Sequence, residues 1–151
     1  MPSQTRPATV GDLAAIEALV SGAYGKYVSR IGRKPRPMLA NYREAIARHQ
    51  FWVCEHVQEQ ALVGLIELIP AQGHLLIENV AVQPSSQRSG IGRSLIAFAE
   101  SEAKRQGFSE VRLYTNALFT ENLALYARLG YLETHREPMG GSSVVHMSKA
   151  L

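Results

Sequence analysis

A chain of 151 residues, 46% hydrophobic and 19% charged, fits one domain (1–151) able to bury roughly 70% of its unfolded surface. A net charge of +3 and a pI near 9.2 suit an anionic ligand but fall short of a nucleic-acid-binding balance. No apolar run nears the ~20 residues of a membrane span, Met1–Arg6 lacks the apolar core of a secretory signal, and the lone Cys54 excludes an internal disulfide, so a cytoplasmic protein is expected.

A short strand near residues 3–8 leads to Thr9-Val10-Gly11-Asp12, which reads as a capping box in its aspartate form. Leu13, Ile16, Leu19 and Val20 then recur at helical spacing and predict a helix over about 10–23. The stretch Tyr24–Leu39 holds two glycines and two prolines, which argue against one continuous helix. It also holds Lys26, Arg30, Arg33, Lys34 and Arg36 and no acid, so it reads either as a mobile rim for a carboxylate-bearing substrate or as a solvated basic loop. A second helix is predicted over about 40–49.

Three strand-like runs follow, at 51–56, at 61–69 with Pro70 as its stop, and at 75–82, with connections short enough for hairpins. Gly64 inside the second marks a bulge or a close approach. Helices are predicted over about 91–106, stopped by Gly107, and over about 120–129, stopped by Gly130. The strand 111–116 lies between them, and a hairpin across Gly140-Gly141 closes the chain. The order β-α-α-β-β-β-α-β-α-β-β describes an α+β domain around one mixed, mostly antiparallel sheet flanked by helices. Cys54, on a strand, reads as a buried structural thiol. His49, His56, His74, His135 and His146 show no pair at metal-ligand spacing in the chain, so no metal is expected.

The stretch richest in chemistry runs from the strand Val80-Ala81-Val82 through Gln87-Arg88-Ser89-Gly90-Ile91-Gly92 into a helix. Its glycines let backbone approach a ligand closely, and the helix behind them points free N–H groups and the positive dipole end at the turn, as an anion site requires. The plain alternative is a strand-to-helix turn that uses glycine only for its geometry. The Lys-Ser/Thr of a P-loop and the third glycine of a dinucleotide fingerprint are absent, which disfavours ATP and nicotinamide ligands.

This turn and strand, with Leu125-Tyr126-Ala127-Arg128-Leu129-Gly130-Tyr131 about 35 residues on, resemble the GCN5-related N-acetyltransferase (GNAT) superfamily over nearly the whole chain. The resemblance implies the GNAT fold and acetyl-CoA as cosubstrate. It assigns the diphosphate to Gln87, Arg88, Ser89, Gly90, Ile91 and Gly92, with Arg93 and Ser94 nearby. It runs the pantetheine along Val80, Ala81 and Val82, where this strand splays from the next, and gives a backbone N–H near Val82 an oxyanion-hole role. Tyr126 would protonate the departing thiolate. An asparagine that many members carry seven positions before this tyrosine is here Phe119. Asn116 and Asn122 flank it, and Asn122 is assigned to the cofactor.

An amine near pKa 10 must lose a proton before it can attack a thioester. Glu78, which interrupts an apolar strand, is the candidate base, with Glu67 in reserve; an outward-facing carboxylate paired to a cation is the alternative for Glu78. Tyr24, Tyr27, Arg30 and Tyr114 are the candidate acceptor-binding residues. The expected activity is N-acetyl transfer to a primary amine by direct attack in a ternary complex, without a membrane. The basic stretch favours a small carboxylate-bearing amine over a protein or a nucleic acid. A GNAT-fold module that binds acyl-CoA with little catalysis is the alternative. A homodimer is compatible with the resemblance, though no sequence feature marks its interface.

Overall fold

The computed structural model describes residues 3–87 and 89–151. Its strands are β1 (Ser3–Pro7), β2 (Gln50–His56), β3 (Leu62–Ala71), β4 (His74–Val82), β5 (Glu110–Asn116), β6 (Leu132–Met139) and β7 (Ser142–Ala150). The α-helices are α1 (Leu13–Tyr24), α2 (Lys26–Ile31), α3 (Tyr42–Arg48), α4 (Ile91–Arg105) and α5 (Thr120–Arg128). The strands form one sheet in the order β1-β2-β3-β4-β5-β7-β6. Among the described residues, only the central β4–β5 pair is parallel. The α+β architecture expected from the sequence is the one observed.

The sheet is covered on both faces. Leu95, Ile96, Ala99 and Ala103 of α4 pack with Ile66, Leu68, Leu75, Ile77, Leu113 and Val145 on one side. Ile16, Leu19 and Val20 of α1, with Tyr42 and Ala45 of α3, pack with Phe51, Val53, Leu65 and Ala81 on the other. β4 contributes to both cores. Glu67 pairs with Asn79 but Leu68 pairs with Ile77, so Glu78 is an extra residue in β4. A one-residue bulge reverses the alternation of faces. Leu75 and Ile77 therefore face α4, whereas Ala81, at the same parity, faces α1.

Two expectations shift and a third is met. β3 does not stop at Pro70, which pairs with Leu75, and the turn is the two-residue Gln72-Gly73. β2 reaches only to the Gln50–Leu68 pair, so Pro70 lies where β3 has β4 alone beside it and a missing N–H is tolerated. Gly64 answers to both of its predicted roles. It sits beside a register shift, and an added Cβ would come within 3.0 Å of Leu95 Cδ1 and 3.2 Å of Ile91 Cγ2. The basic stretch 24–39 is an ordered helix and a 3-10 turn (Arg36–Met38) rather than an open loop, and Tyr42 Oη pins it by donating to Pro37 O at 2.5 Å.

The expected capping box forms at the entry to α1, where Thr9 N donates to Asp12 Oδ2 at 2.8 Å. Arg6 from β1 grips the same carboxylate through two 2.9 Å hydrogen bonds, which hold the Asp12 pKa down at about 2. A depressed carboxylate stabilises the fold above its unfolded pKa and loses that contribution as pH falls through the folded value. Asp12→Asn is therefore expected to cost about 1–2 kcal/mol at neutral pH. In urea titrations the gap from wild type should close between about pH 4 and pH 2.

Candidate active site

β4 and β5 are paired only from Leu75 to Ile77 and from Val111 to Leu113. Glu78–Val82 and Tyr114–Asn116 continue without pairing across that seam. Two cavities open there, of about 490 and 860 Å³, and Tyr24, Val80, Asn122 and Tyr126 line both. The polar backbone of β4 is turned into the opening. Val80 O accepts from Tyr24 Oη at 3.0 Å and Val82 O from Gln87 Nε2 at 3.1 Å. In a strand the N–H and C=O of one residue point to the same side, so the amides of Val80 and Val82 face the opening as well.

The larger cavity runs from Val80, Ala81 and Val82 past Gln87, Ser89, Gly90, Gly92 and Arg93. Gly90 caps α4 with φ +91°, a backbone region that side-chain-bearing residues avoid. The first intrahelical bond here, Ser94 N to Gly90 O at 2.9 Å, leaves the amides of Ile91, Gly92 and Arg93 without helical partners. A Cβ on Gly92 would meet Val82 and Leu125 only at 3.7 and 3.8 Å, so packing inside the protein does not require glycine there. A bare backbone at the N-terminus of a 15-residue helix is what close approach of a diphosphate needs. Lys26 and Arg128 also line this cavity, two cations that sequence reasoning did not assign to it. Ile91 and Ser94 do not line it: Ile91 packs on the core near Gly64. Arg88, assigned to the diphosphate from the resemblance, lies outside the described residues.

The smaller cavity brings Glu67, Glu78, Asn79 and Tyr114 together under a rim of Arg33, Lys34 and Arg36. The bulge presents Glu78 here, where its Oε1 accepts from Tyr114 Oη at 2.7 Å. Glu67 is buried, with His49 Nδ1 at 2.5 Å from Oε2. Burial pushes its carboxyl above the usual range, against the opposing pull of His49. The hydroxyl of Tyr24 lies 2.8 Å from Asn79 Oδ1 as well as 3.0 Å from Val80 O and shares its one proton between them, and Asn79 Nδ2 donates to Tyr42 Oη at 3.0 Å. Asn79, Tyr42 and His49 are the members of this network that the sequence reading missed. A polar residue inside an apolar strand was a usable signal for Asn79. His49 comes near Glu67 only through the pairing of Gln50 with Leu68.

Two candidate acceptor residues are corrected. Tyr27 is buried and stacked on Phe119 at 3.9 Å between ring centroids, and it lines the larger cavity instead. Arg30 lines neither cavity; it bonds Glu121 Oε1 at 2.7 Å and Leu118 O at 3.2 Å, and holds the Glu121 carboxyl down at about 2. The basic stretch thus divides, with Lys26 and Arg30 towards α5 and Arg33, Lys34 and Arg36 towards the smaller cavity. Asn116 is engaged by Leu118 N at 2.9 Å and Ser142 Oγ at 3.0 Å, which leaves Asn122 as the asparagine placed at the junction.

Tyr126 stands between the cavities. Burial, with a smaller contribution from Tyr27, raises its phenol well above the ordinary value and keeps it protonated through the neutral range. The site therefore offers an anion cradle, free strand amides, a protonated phenol and a carboxylate in two cavities that share Tyr24, Val80, Asn122 and Tyr126 as lining.

Comparison with known proteins agrees with this geometry. The model of the acetyltransferase (GNAT) family matches residues 16–131. The rat protein named N-acetyltransferase family 8 member 3 is 37% identical over 90 residues, which are 56% of this chain and 39% of that protein. The probable N-acetyltransferase 14 of Xenopus tropicalis is 32% identical over 92 residues, 60% of this chain and 44% of its own. The matches thus span less than half the length of these two relatives. The PaiA N-acetyltransferase of Thermoplasma acidophilum, solved in complex with coenzyme A, superposes with a TM-score of 0.82 over 100% of both chains at 19% identity, a likeness of fold. The family match over residues 16–131, three quarters of the chain, shows that this protein belongs to the GNAT acetyltransferase family.

Proposed function

We propose that this chain, acting as one domain, transfers the acetyl group of acetyl-CoA to a small primary amine that bears a carboxylate, by direct attack in a ternary complex. The observation that carries the reading is the junction itself: the glycine-capped cavity and the acid-lined cavity meet at Val80 and Tyr126. The diphosphate of the cosubstrate fits the Gln87–Gly92 turn and α4, with Arg93, Lys26 and Arg128 as cations. When bound, acetyl-CoA supplies the thioester whose carbon–sulfur bond breaks as the carbon–nitrogen bond forms.

The chain's own residues divide the remaining work. Glu78 takes a proton from the incoming ammonium, directly or through water, while Tyr114 orients the carboxylate through the 2.7 Å bond. The Val80 and Val82 amides face the place where carbonyl charge develops. Tyr126 presents its O–H to the leaving sulfur. Cys54 is buried on β2 and lines neither cavity, so no acyl relay through a protein thiol is needed.

The acceptor's chemistry follows from two opposed charges. Glu67 and Glu78 lie inside the smaller cavity, suited to an amine, and Arg33, Lys34 and Arg36 stand on its rim, suited to a carboxylate. A panel of primary amines with and without carboxylates, assayed by thiol release, tests this directly. Arg33→Gln with Arg36→Gln is expected to raise KM for the preferred acceptor about 10-fold and leave KM for acetyl-CoA unchanged. An unchanged acceptor KM would remove the carboxylate from the reading. Glu78→Gln is expected to lower kcat about 100-fold at neutral pH.

A further inference from the structure

The β6–β7 hairpin assembles a cluster that the proposed transfer reaction does not use. His135 and Glu137 are two residues apart on β6 and so share a face. Thr134 is an extra residue between the Glu133–Met147 and His135–His146 pairs. That bulge sets His135 opposite His146, where a regular register would have set it opposite Val145. The two imidazoles stack with centroids 4.2 Å apart and planes 8° apart, and His146 Nε2 bonds Glu137 Oε1. Thr134 Oγ1 lies 3.0 Å from His135 Nδ1 and donates to His146 O at 3.2 Å, which ties the bulge to both histidine positions.

One ligand atom from each of His135, Glu137 and His146 lies within 4.8 Å of the others. Tetrahedral coordination at about 2.0–2.2 Å per bond needs ligand atoms roughly 3.4 Å apart with each ring's in-plane lone pair aimed at the ion, so the two imidazoles must turn out of their parallel stack to close on it. Glu137 is exposed and His146 half-buried, so these rotations displace no core packing. Two imidazoles and one carboxylate are borderline donors. They suit zinc, cobalt or nickel, whereas magnesium and calcium prefer oxygen ligands alone. We propose that His135, Glu137 and His146 form a binding site for a divalent transition-metal ion of the zinc class, with a coordination position left to water. The spacing of histidines along the chain could not show this, because the site is made by cross-strand register.

The site adjoins the smaller cavity. Met139 follows Glu137 by two residues and Val144 precedes His146 by two, and both line that cavity. Tyr114, paired with His146 across β5 and β7, has its ring centroid 5.8 Å from the imidazole. The inference stands on the hairpin alone and does not depend on the acetyl-transfer reading.

The test uses the full chain without an affinity tag, stripped with a chelator and titrated with Zn²⁺ against a chromogenic competitor. One ion per chain is expected, unaffected by millimolar Mg²⁺. His135→Ala, His146→Ala and Glu137→Gln should each weaken binding by at least about 10-fold, with circular dichroism unchanged. Co²⁺ should give visible absorption bands that His146→Ala abolishes. Zinc binding of equal strength in the wild type and all three variants would place the ion elsewhere and overturn the proposal. Absence of stoichiometric binding to the wild type would overturn it equally.

Discussion

Tyr126→Phe is expected to lower kcat by about 10²- to 10³-fold while acetyl-CoA affinity stays within about twofold. The substitution removes one hydroxyl and keeps the ring that packs into the core beside Tyr131. No hydrogen bond contributes to the shift of that phenol, so little stability is lost with it. What is lost is the O–H donor to the departing sulfur. A role in packing alone predicts kcat and the melting temperature both nearly intact, because the ring is kept. Stopped-time thiol-release kinetics beside thermal melts separate the two.

Gly92→Asp is expected to weaken acetyl-CoA binding about 100-fold, or about 2.7 kcal/mol, while the fold becomes slightly more stable. The added Cβ meets only ordinary contacts with Val82 and Leu125. Replacing a helical glycine by aspartate gains only about 0.1–0.4 kcal/mol in helix propensity, and a carboxylate in the first turn adds about 0.3–1 kcal/mol. The same carboxylate would stand near the diphosphate, where a like-charge pair at about 5 Å costs about 3 kcal/mol at an effective dielectric of 20. This combination of more stability and less binding distinguishes a ligand-reserved glycine from one that merely shapes a turn. Calorimetric titration with acetyl-CoA, beside urea denaturation, reads both quantities.

Most of the larger cavity was legible in the chain because its signals are local. A glycine turn, the helix behind it and the apolar strand before it lie within a short continuous stretch, and their chemistry is backbone chemistry. Tyr126 was legible through its place in the Leu125–Tyr131 run. The smaller cavity was less so, because long-range register builds it. The bulge that presents Glu78 is an offset between β3 and β4. Glu67 meets His49 across paired strands, and Arg30, which reads like its basic neighbours, is turned away to Glu121. Pro70 reads as a stop until the short reach of β2 leaves β3 an open edge there. Charge composition can announce a basic stretch, but not which of its residues face the acceptor.

Occupancy by acetyl-CoA of the cavity between the β4 edge and the α4 N-terminus is the proposal on which the transfer reaction depends, and titration calorimetry of the wild-type chain with acetyl-CoA tests it most directly. Such occupancy predicts one site per chain with a dissociation constant of about 10⁻⁶–10⁻⁵ M, about −8 to −7 kcal/mol, and NAD giving no heat. Absence of acetyl-CoA binding at millimolar concentration in a folded protein would contradict it, and the proposed transfer reaction would fall with it.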